Sequence, residues 1–335
     1  MPISFKEDHI SQIPALLMLE KLGYTYLTPD EALALRGGNL ANVLLEPVLR
    51  KQLAAINVVQ VSSVRTTVFS EQNITAGIDA LRNIPMDEGF MEASQTVYDL
   101  LTSGKTLEQI VDGDRKSFVM QYIDWKNPRN NVFHVTEEFA VSRTGMTETY
   151  RPDIVLFVNG IPLCVIECKR PDVKDSIEQA ISQHLRNQKA DGIRSLYLYS
   201  TLLLAINRQE GSYATTATPE KFWARWREQF TNREEEVRYR QELERGVNEP
   251  LLDDKLFGER FGYVRRNFEE LYRQPVIPSV QDEYLYNLCR PERLLQLMYG
   301  FTLYDDGIKK VARYQQYFAV RQTMQRIRHI EGGRR

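Results

Sequence analysis

Two apolar runs joined by Asn159-Gly160 constrain what this chain can fold into more than any other stretch of its sequence. They lie in the string RPDIVLFVNGIPLCVIECKRP, residues 151–171. Asn-Gly between apolar runs is the strongest short-range signal of a β-hairpin. The second run is apolar on both faces, which is typical of a strand that is covered on both sides. The string therefore predicts a buried antiparallel pair that is closed by Pro171.

The segments around this hairpin predict a mixed α/β domain. Apolar residues at helical spacing predict helices at 6–22, 38–56, 92–103, 114–124 and 174–190. Alternating or continuous apolar runs predict strands at 132–142 and 195–206. The charged segment 220–246 is also predicted to be helical, and we interpret its charge as a solvated face. The order of a helix, three strands, a helix and a strand predicts a mixed central sheet flanked by helices.

The character of the sequence changes near residue 250, where we place a domain boundary. Turn signals follow around Pro275 and Pro278, and the segments 290–300 and 306–330 are predicted to be helical. The expected domains are therefore an α/β domain over residues 1–250 and a mainly helical segment over residues 251–335.

Composition places the chain among folded proteins and removes several functional classes. Its 335 residues, 42% hydrophobic and 26% charged, can build one large core or two smaller ones. The formal net charge of −2 means that any DNA-binding surface must be local. Cys164, Cys168 and Cys289 make neither a disulfide framework nor a zinc cluster. The first residues lack the features of a signal peptide and no apolar stretch approaches about 20 residues, so we expect a cytoplasmic protein with no membrane segment.

Charged residues stand at the open end of the predicted hairpin. Glu167 and Lys169 end the second strand two positions apart, hence on one face, and Asp153 begins the first strand. A carboxylate at the end of a buried strand needs a partner or a cation. Mg²⁺ prefers hard oxygen ligands, which the two carboxylates and the main-chain carbonyl of Cys168 could provide. Lys169 could then orient or help to deprotonate an attacking water; the alternative is a structural cluster of charges at a strand end.

The register of the hairpin decides whether the two carboxylates can share a metal. A strict two-residue loop pairs Val158 with Ile161. That register places Asp153 and Glu167 on opposite faces of the sheet. A three-residue loop pairs Asp153 with Val165 instead and brings the carboxylates to one face. We therefore predict an odd-length, bulged turn, unless another bulge restores the register.

The charged residues also carry a resemblance. Pro152-Asp153, a hairpin and Glu167-Cys168-Lys169 look like the signature of PD-(D/E)xK nucleases. Three longer strings, RNQKADGIRSLYLYSTLLLAIN, YATTATPEKFWARW and FTLYDDGIKKVARYQQYFAVRQ, are similar to the N-terminal part of the motor-endonuclease (R) subunit of type I restriction enzymes. The resemblance covers essentially the whole chain.

This resemblance implies a restriction-endonuclease-like PD-(D/E)xK core and Mg²⁺-dependent hydrolysis of phosphodiester bonds in duplex DNA. In the full-length protein it implies coupling to ATP-driven translocation. It also implies two partners, a specificity subunit and a methyltransferase subunit, and S-adenosylmethionine as a cofactor of the complex. An acid from the N-terminal helices often completes such sites, for which Glu7 and Glu46 are candidates.

The family often carries a Gln-x-x-x-Tyr motif on the helix that follows the Glu-x-Lys strand. Gln183 occupies the matching place and is a candidate catalytic residue, but Asn187 stands where the tyrosine is expected. Residues one turn apart can still point together at a phosphate or at the waters of a metal. The alternative is an ordinary polar helix face. His184 and Arg186 could meet the DNA backbone or solvent, and the sequence does not choose between them.

A second motif lies near the end of the chain. RYQQYFAV, residues 313–320, resembles the adenine-recognising Gln motif that precedes the first motor domain of superfamily 2 translocases, with Gln316 as its glutamine. An amide can pair with the donor and the acceptor edges of adenine, whereas the alternative is a helix with an aromatic stripe. No G-x-x-x-x-G-K-[ST] loop occurs in the chain. We therefore expect a truncated piece, a nuclease domain with the opening helices of a motor, that hydrolyses no ATP itself.

Two other functions compete with this interpretation. One is a repair or junction-resolving nuclease with the same core. The other is a catalytically silent scaffold or DNA-binding domain that has kept the fold.

Overall fold

Helices and strands alternate along the chain in this computed structural model, which describes residues 11–62, 65–250 and 253–332. The helices are α1 (Ile13–Lys21), α2 (Pro29–Ala34), α3 (Glu46–Ile56), α4 (Glu71–Arg82), α5 (Phe90–Ser103), α6 (Ser176–Asn187), α7 (Arg194–Tyr197), α8 (Arg233–Asn248), α9 (Arg265–Leu271), α10 (Val280–Cys289), α11 (Pro291–Gly300) and α12 (Tyr314–Gly332). The strands are β1 (Thr25–Tyr26), β2 (Val58–Ser62), β3 (Arg65–Val68), β4 (Lys105–Val111), β5 (Asp114–Met120), β6 (Phe133–Glu137), β7 (Val141–Ser142), β8 (Thr149–Tyr150), β9 (Ile154–Val158), β10 (Ile161–Cys168), β11 (Leu202–Ile206), β12 (Gly211–Ala214), β13 (Thr302–Asp305) and β14 (Ile308–Val311).

A six-stranded sheet forms the centre, in the order β1-β6-β9-β10-β11-β12. The pairs β1–β6 and β10–β11 are parallel, and the other neighbours are antiparallel. Every residue of β9, β10 and β11 is buried, which explains why these strands are apolar on both faces. The expected mixed sheet flanked by helices is confirmed, and so is the buried hairpin.

The turn of this hairpin is shorter than predicted. Val158 pairs directly with Ile161, so the loop contains only Asn159 and Gly160, and the expectation of a three-residue loop is wrong. Both loop residues have positive φ, +52° and +84°, as in the type I′ turn that matches the twist of the flanking strands. The buried Asn159 amide also donates to the Tyr122 carbonyl at 2.9 Å, which fixes the turn.

A bulge inside β10 restores the register. Pro162 pairs with Phe157, but Cys164 pairs with Leu156, so Leu163 is the extra residue. Proline within a sheet is found at edges and bulges because it has no N–H to donate. The pairing continues to Ile166, and its next step sets Glu167 opposite Asp153. The carboxylates therefore share a face, through a compensating bulge and not through an odd-length turn.

Other predicted elements are partly corrected. The helix expected at 114–124 is wrong, because residues 114–120 form β5, paired with β4 across a turn at Asp112-Gly113. Residues 195–197 of the predicted strand 195–206 belong to helix α7, and only 202–206 form β11. Within 306–330, strand β14 of the β13–β14 hairpin precedes α12.

The helices predicted at 92–103, 174–190 and 290–300 are present as α5, α6 and α11. Those predicted at 38–56 and 220–246 are shorter, because α3 begins next to Pro47 and α8 spans only Arg233–Asn248. Within 6–22, α1 spans Ile13–Lys21, and residues 6–10 lie outside the described residues.

The segment after residue 253 packs on the earlier part of the chain. The Tyr24 hydroxyl donates to the Cys289 carbonyl at 2.6 Å, and the Tyr213 hydroxyl donates to the Ala312 carbonyl at 2.9 Å. Buried residues of both parts form one hydrophobic cluster. The segment is mainly helical, as expected, and the boundary near 250 stays a prediction. Within the described ranges, no helix is both long and apolar enough to cross a bilayer.

Candidate active site at the end of the central hairpin

The open end of the β9–β10 hairpin brings Asp153, Cys168 and Lys169 together. The Asp153 Oδ2 atom accepts a hydrogen bond from the Cys168 main-chain N–H at 2.7 Å. The Lys169 ammonium lies 3.5 Å from the same oxygen and 3.1 Å from the Cys168 carbonyl, to which it donates. The side chains of Asp153 and Lys169 are only 23% and 13% exposed, so this ion pair is shielded from water.

Glu167 is the most unusual residue of the site. Its side chain is fully buried, and neither carboxylate oxygen has a hydrogen-bond partner in the part of the chain that the structure describes. Burial raises the pKa of Glu167 well above its usual range and the nearby Asp153 raises it further, whereas the charges of Lys169 and Arg186 act in the opposite direction. Such a carboxyl is neutral or bound to a cation.

The donor atoms fit a hard divalent cation better than a softer one. Asp153, Glu167 and the Cys168 carbonyl offer oxygen only, and Mg²⁺ takes one or two carboxylates and completes its shell with waters and substrate phosphates. Among the described residues there is no cluster of three or more His, Cys, Asp or Glu side chains that could enclose a metal. The candidate site therefore has two carboxylate ligands, and waters and substrate phosphates would fill the other coordination positions of the ion.

Two residues that the sequence analysis missed hold the site from the side of α1. The Ser11 hydroxyl donates to the Lys169 carbonyl at 2.7 Å, and the Gln12 amide donates to the Asp153 carbonyl at 3.0 Å. Gln281 of α10 in turn donates to the Ser11 carbonyl. The hydrogen bonds of Ser11 and Gln12 join residues that are more than 140 positions apart in the sequence. Such contacts leave no local pattern, so the sequence could not have indicated them.

The candidates for an additional acidic ligand do not reach this site in the described part of the chain. Glu46 lies at the opposite end of the hairpin, where the preceding Leu45 donates to the Gly160 carbonyl. Its carboxylate is bound by Arg82 at 2.8 Å and by Asn42 at 3.1 Å. Glu7 lies outside the described residues.

Helix α6 packs on β10 and β11 over the same face of the sheet, since Ala205 neighbours Glu167 and also contacts the helix. Gln183 is half-buried there, and no hydrogen bond of the described residues joins it to Asp153, Glu167 or Lys169. Its catalytic role stays a prediction. Asn187 is buried, and its Oδ1 atom accepts from the Arg186 guanidinium.

His184 belongs to the core and not to a DNA-binding surface. It is fully buried, with Nδ1 at 3.0 Å from the Tyr197 hydroxyl and Nε2 at 2.9 Å from the Leu204 carbonyl. Burial lowers the pKa of His184 to about 4, so the ring is neutral at physiological pH.

Gln316 lies in the first turn of α12, far along the chain from the hairpin. It is exposed, and its Oε1 atom accepts from the Arg313 main-chain N–H at 2.8 Å. This bond caps the start of the helix. Recognition of adenine by Gln316 stays a prediction.

Fold and site together define a mixed α/β protein that carries two acidic residues and a lysine at the end of its central hairpin. The chain belongs to the family described as Type I restriction enzyme R protein N terminus, which matches residues 4–222. The resemblance to the N-terminal part of type I restriction enzyme R subunits is thereby confirmed.

The named proteins to which this chain is similar are endonuclease subunits of type I restriction enzymes. The chain is 24% identical over 329 residues to the putative type I restriction enzyme MjaIXP endonuclease subunit of Methanocaldococcus jannaschii, covering 96% of this chain and 28% of that protein. It is 25% identical over 331 residues to the type I restriction enzyme HindI endonuclease subunit of Haemophilus influenzae, covering 95% of this chain and 26% of that protein. The chain thus spans little more than a quarter of the length of these relatives.

Proposed function

We propose that this chain is the endonuclease portion of a type I restriction enzyme R subunit and that it hydrolyses phosphodiester bonds of duplex DNA with Mg²⁺. The observation that carries the proposal is Glu167, a fully buried carboxyl with no described hydrogen-bond partner next to Asp153 and Lys169. A purely structural charge cluster would be expected to pair its buried acid. A cation at this position would supply the missing partner.

Each residue has a chemical role in this proposal. Asp153, Glu167 and the Cys168 carbonyl would hold the ion. When bound, Mg²⁺ would lower the pKa of a bound water and offset the charge that develops on the phosphate. The Lys169 ammonium, held beside Asp153 Oδ2, would orient the attacking water and stabilise the phosphate. Gln183 would bind a phosphate or a metal-bound water from α6.

The same proposal assigns the sheet and α6 to the PD-(D/E)xK core. The order of β9, β10, α6 and β11, with acids and a lysine on the hairpin, supports the assignment. DNA would be held through its phosphates, with the strong salt dependence that such contacts produce.

The full-length protein would couple cleavage to ATP-driven translocation in the cytoplasm, as the resemblance to R subunits of type I restriction enzymes implies. Its partners would be the specificity and methyltransferase subunits, with S-adenosylmethionine used by the complex. Gln316 would contact adenine only when the rest of the motor provides a phosphate-binding loop.

Calorimetric titration of Mn²⁺ into the 335-residue chain tests the metal site. We expect saturable binding that is lost in Asp153→Asn and in Glu167→Gln, while the matched control Glu244→Gln, an exposed acid of α8, retains it. Circular dichroism verifies that each variant is folded. Absence of binding in the parent chain, with and without DNA, or unchanged binding in both site variants would leave the scaffold as the better interpretation.

A further inference from the structure

The ring of Tyr150, next to the candidate metal site, is a stacking surface for two arginine side chains. Tyr150 ends β8, three positions before Asp153. Its ring contacts two guanidinium groups, with Arg143 Cζ at 4.7 Å and Arg186 Cζ at 4.5 Å from the ring centroid. The ring therefore joins the β7–β8 hairpin to the C-terminal end of α6 beside the candidate metal site.

The two arginines on this ring differ in whether carboxylates neutralise them. Arg143 is neutralised by Glu148 at 2.6 Å and by Asp191 at 2.7 Å. Arg186 is exposed, and no carboxylate among the described residues forms an ion pair with it. An exposed guanidinium that is held in place without a carboxylate partner can bind an anionic ligand.

Asn187 fixes the direction of the Arg186 side chain. Its Oδ1 atom accepts from Nε at 3.3 Å and from Nη2 at 3.1 Å. Because a guanidinium has more N–H donors than these two bonds use, its outer edge keeps donors for a ligand. Stacking on Tyr150 and bonding to Asn187 reduce the side-chain entropy that binding would otherwise cost.

Arg186 also lies close to the metal site. It stacks on Tyr150, which precedes Asp153 by three residues, and it belongs to the helix that packs over the face of the sheet on which Glu167 lies. Helix α6 contacts β10 and β11, the strands that carry Glu167 and its neighbour Ala205. A phosphate bound at the metal site would thus lie on the side of the sheet that is covered by α6, the helix that carries this guanidinium.

We propose that Arg186 binds a non-bridging oxygen of a DNA phosphate at the Asp153–Glu167 site, and that Asn187 and Tyr150 are positioning residues that aim it. The inference rests on the proposed function, because it needs a DNA strand at the metal site. It gives Asn187 a role of its own at the place where the family motif has a tyrosine. A planar, stacked guanidinium presents its N–H donors in a rigid fork that matches two phosphate oxygens, whereas an ammonium is a point charge on a flexible stem.

The test measures binding of a short DNA duplex to the 335-residue chain by fluorescence anisotropy over a series of salt concentrations, with Ca²⁺ as the divalent ion. The variants are Arg186→Gln, Arg186→Lys and, as a matched control, Arg240→Gln on the exposed face of α8. Loss of one phosphate contact makes the slope of the logarithm of the DNA association constant against the logarithm of the salt concentration less steep by about 0.9. We expect that loss in Arg186→Gln, an unchanged slope but weaker binding in Arg186→Lys, and no change in the control.

Titration with Mn²⁺ separates this inference from the function on which it rests. If the parent chain and Arg186→Gln both bind Mn²⁺ but have equal salt slopes, the phosphate contact is wrong and the metal site stands. If the parent binds Mn²⁺ but no DNA, the inference is also overturned. If the parent binds neither, the proposed function itself fails. Equal weakening in Arg240→Gln would assign the effect to net charge and would contradict a role specific to Arg186.

Discussion

The Asp153 carboxylate accepts a hydrogen bond from the Cys168 main-chain N–H at 2.7 Å, so the acid that begins one strand is fixed to the end of the other. Cys168 directly follows Glu167, and the bulge at Leu163 sets this strand in the register that brings the two acids to one face. The separation of the carboxylates therefore depends on the main chain more than on flexible side chains. Such preorganisation favours a site that binds a ligand over an incidental charge cluster.

Replacing Glu167 by glutamine should remove metal binding without cost to the fold. Because burial raises the pKa of Glu167 well above its usual range, the carboxyl is neutral without metal, and an amide of the same shape replaces one neutral group by another. The thermal unfolding midpoint without metal should therefore be unchanged or higher. In the parent, Mn²⁺ at about 100 times its Kd should add about 2.7 kcal/mol to the free energy of unfolding. Glu167→Gln should lose this gain, which thermal unfolding with and without Mn²⁺ measures.

Glu137 provides the matched control for that experiment. It is also fully buried, but its carboxylate accepts from Arg260 at 2.9 Å on the other face of the sheet. Because Glu137→Gln removes a charge-assisted hydrogen bond, we expect a loss of about 1–3 kcal/mol in the free energy of unfolding and full retention of the Mn²⁺ effect. A larger loss of stability in Glu167→Gln than in Glu137→Gln would indicate that Glu167 has a structural role.

Replacing Gly160 by alanine should destabilise the protein more than the left-handed conformation of the turn alone would. A Cβ at Gly160 would lie 2.6 Å from the Leu45 carbonyl oxygen and 3.1 Å from the Leu49 nitrogen, which are main-chain atoms of the region where α3 begins. We expect Gly160→Ala to lower the free energy of unfolding by about 3 kcal/mol, the sum of left-handed strain and a steric clash. Urea unfolding of the variant and the parent measures the difference.

Gly113 separates these two contributions. It has the same φ of +84° in the turn between β4 and β5, but a Cβ there would meet nothing within 4 Å. Gly113→Ala should therefore show the conformational strain alone, about 1 kcal/mol. Equal losses in the two variants would mean that α3 can move away from the hairpin and that the close approach at Leu45 is unimportant.

These turns also indicate how far the sequence alone could lead. Asn159-Gly160 predicted the central hairpin correctly, and Asp112-Gly113 and Asp306-Gly307 carry the same kind of signal with positive φ at both residues. Helical periodicity predicts helices at 114–124 and 306–330, whereas these turns close the hairpins β4–β5 and β13–β14. Elements with strong local turn signals are therefore predictable from the sequence, these two hairpins included.

The residues of the site could be predicted from the sequence, but the register of β9 and β10 is set by a bulge and not by the predicted odd-length turn. Asp153, Glu167 and Lys169 follow from charge at the end of an apolar strand, and the structure brings them together. The bulge at Leu163 follows Pro162 within a buried strand, and a proline at such a position is itself a signal of a bulge. Contacts such as Ser11 with the Lys169 carbonyl depend on tertiary packing and have no local signature.

Lys309 should make the stability of the protein rise with pH above neutrality. This lysine of β14 is buried, donates to the Ser200 carbonyl at 3.0 Å, and fixes the C-terminal hairpin to the loop before β11. Burial lowers the pKa of Lys309 from 10.5 to about 7. Between these two values the unfolded chain holds a proton that the folded chain has lost, so the free energy of unfolding increases as pH rises; below pH 7 both states are protonated and the contribution is constant.

Urea unfolding at pH 6, 7, 8 and 9 measures this contribution as the difference between the parent and Lys309→Met, which keeps a long apolar side chain without a titrating group. The difference, parent minus variant, should increase by about 2 kcal/mol between pH 7 and pH 9. Lys310→Met, at the half-exposed neighbouring lysine of the same strand, should leave the difference flat over this range. A flat difference for Lys309→Met as well would mean that the ammonium remains charged in the folded protein. Water would then have to reach the contact between β14 and Ser200, and the C-terminal hairpin would be less tightly packed on the central sheet than its burial indicates.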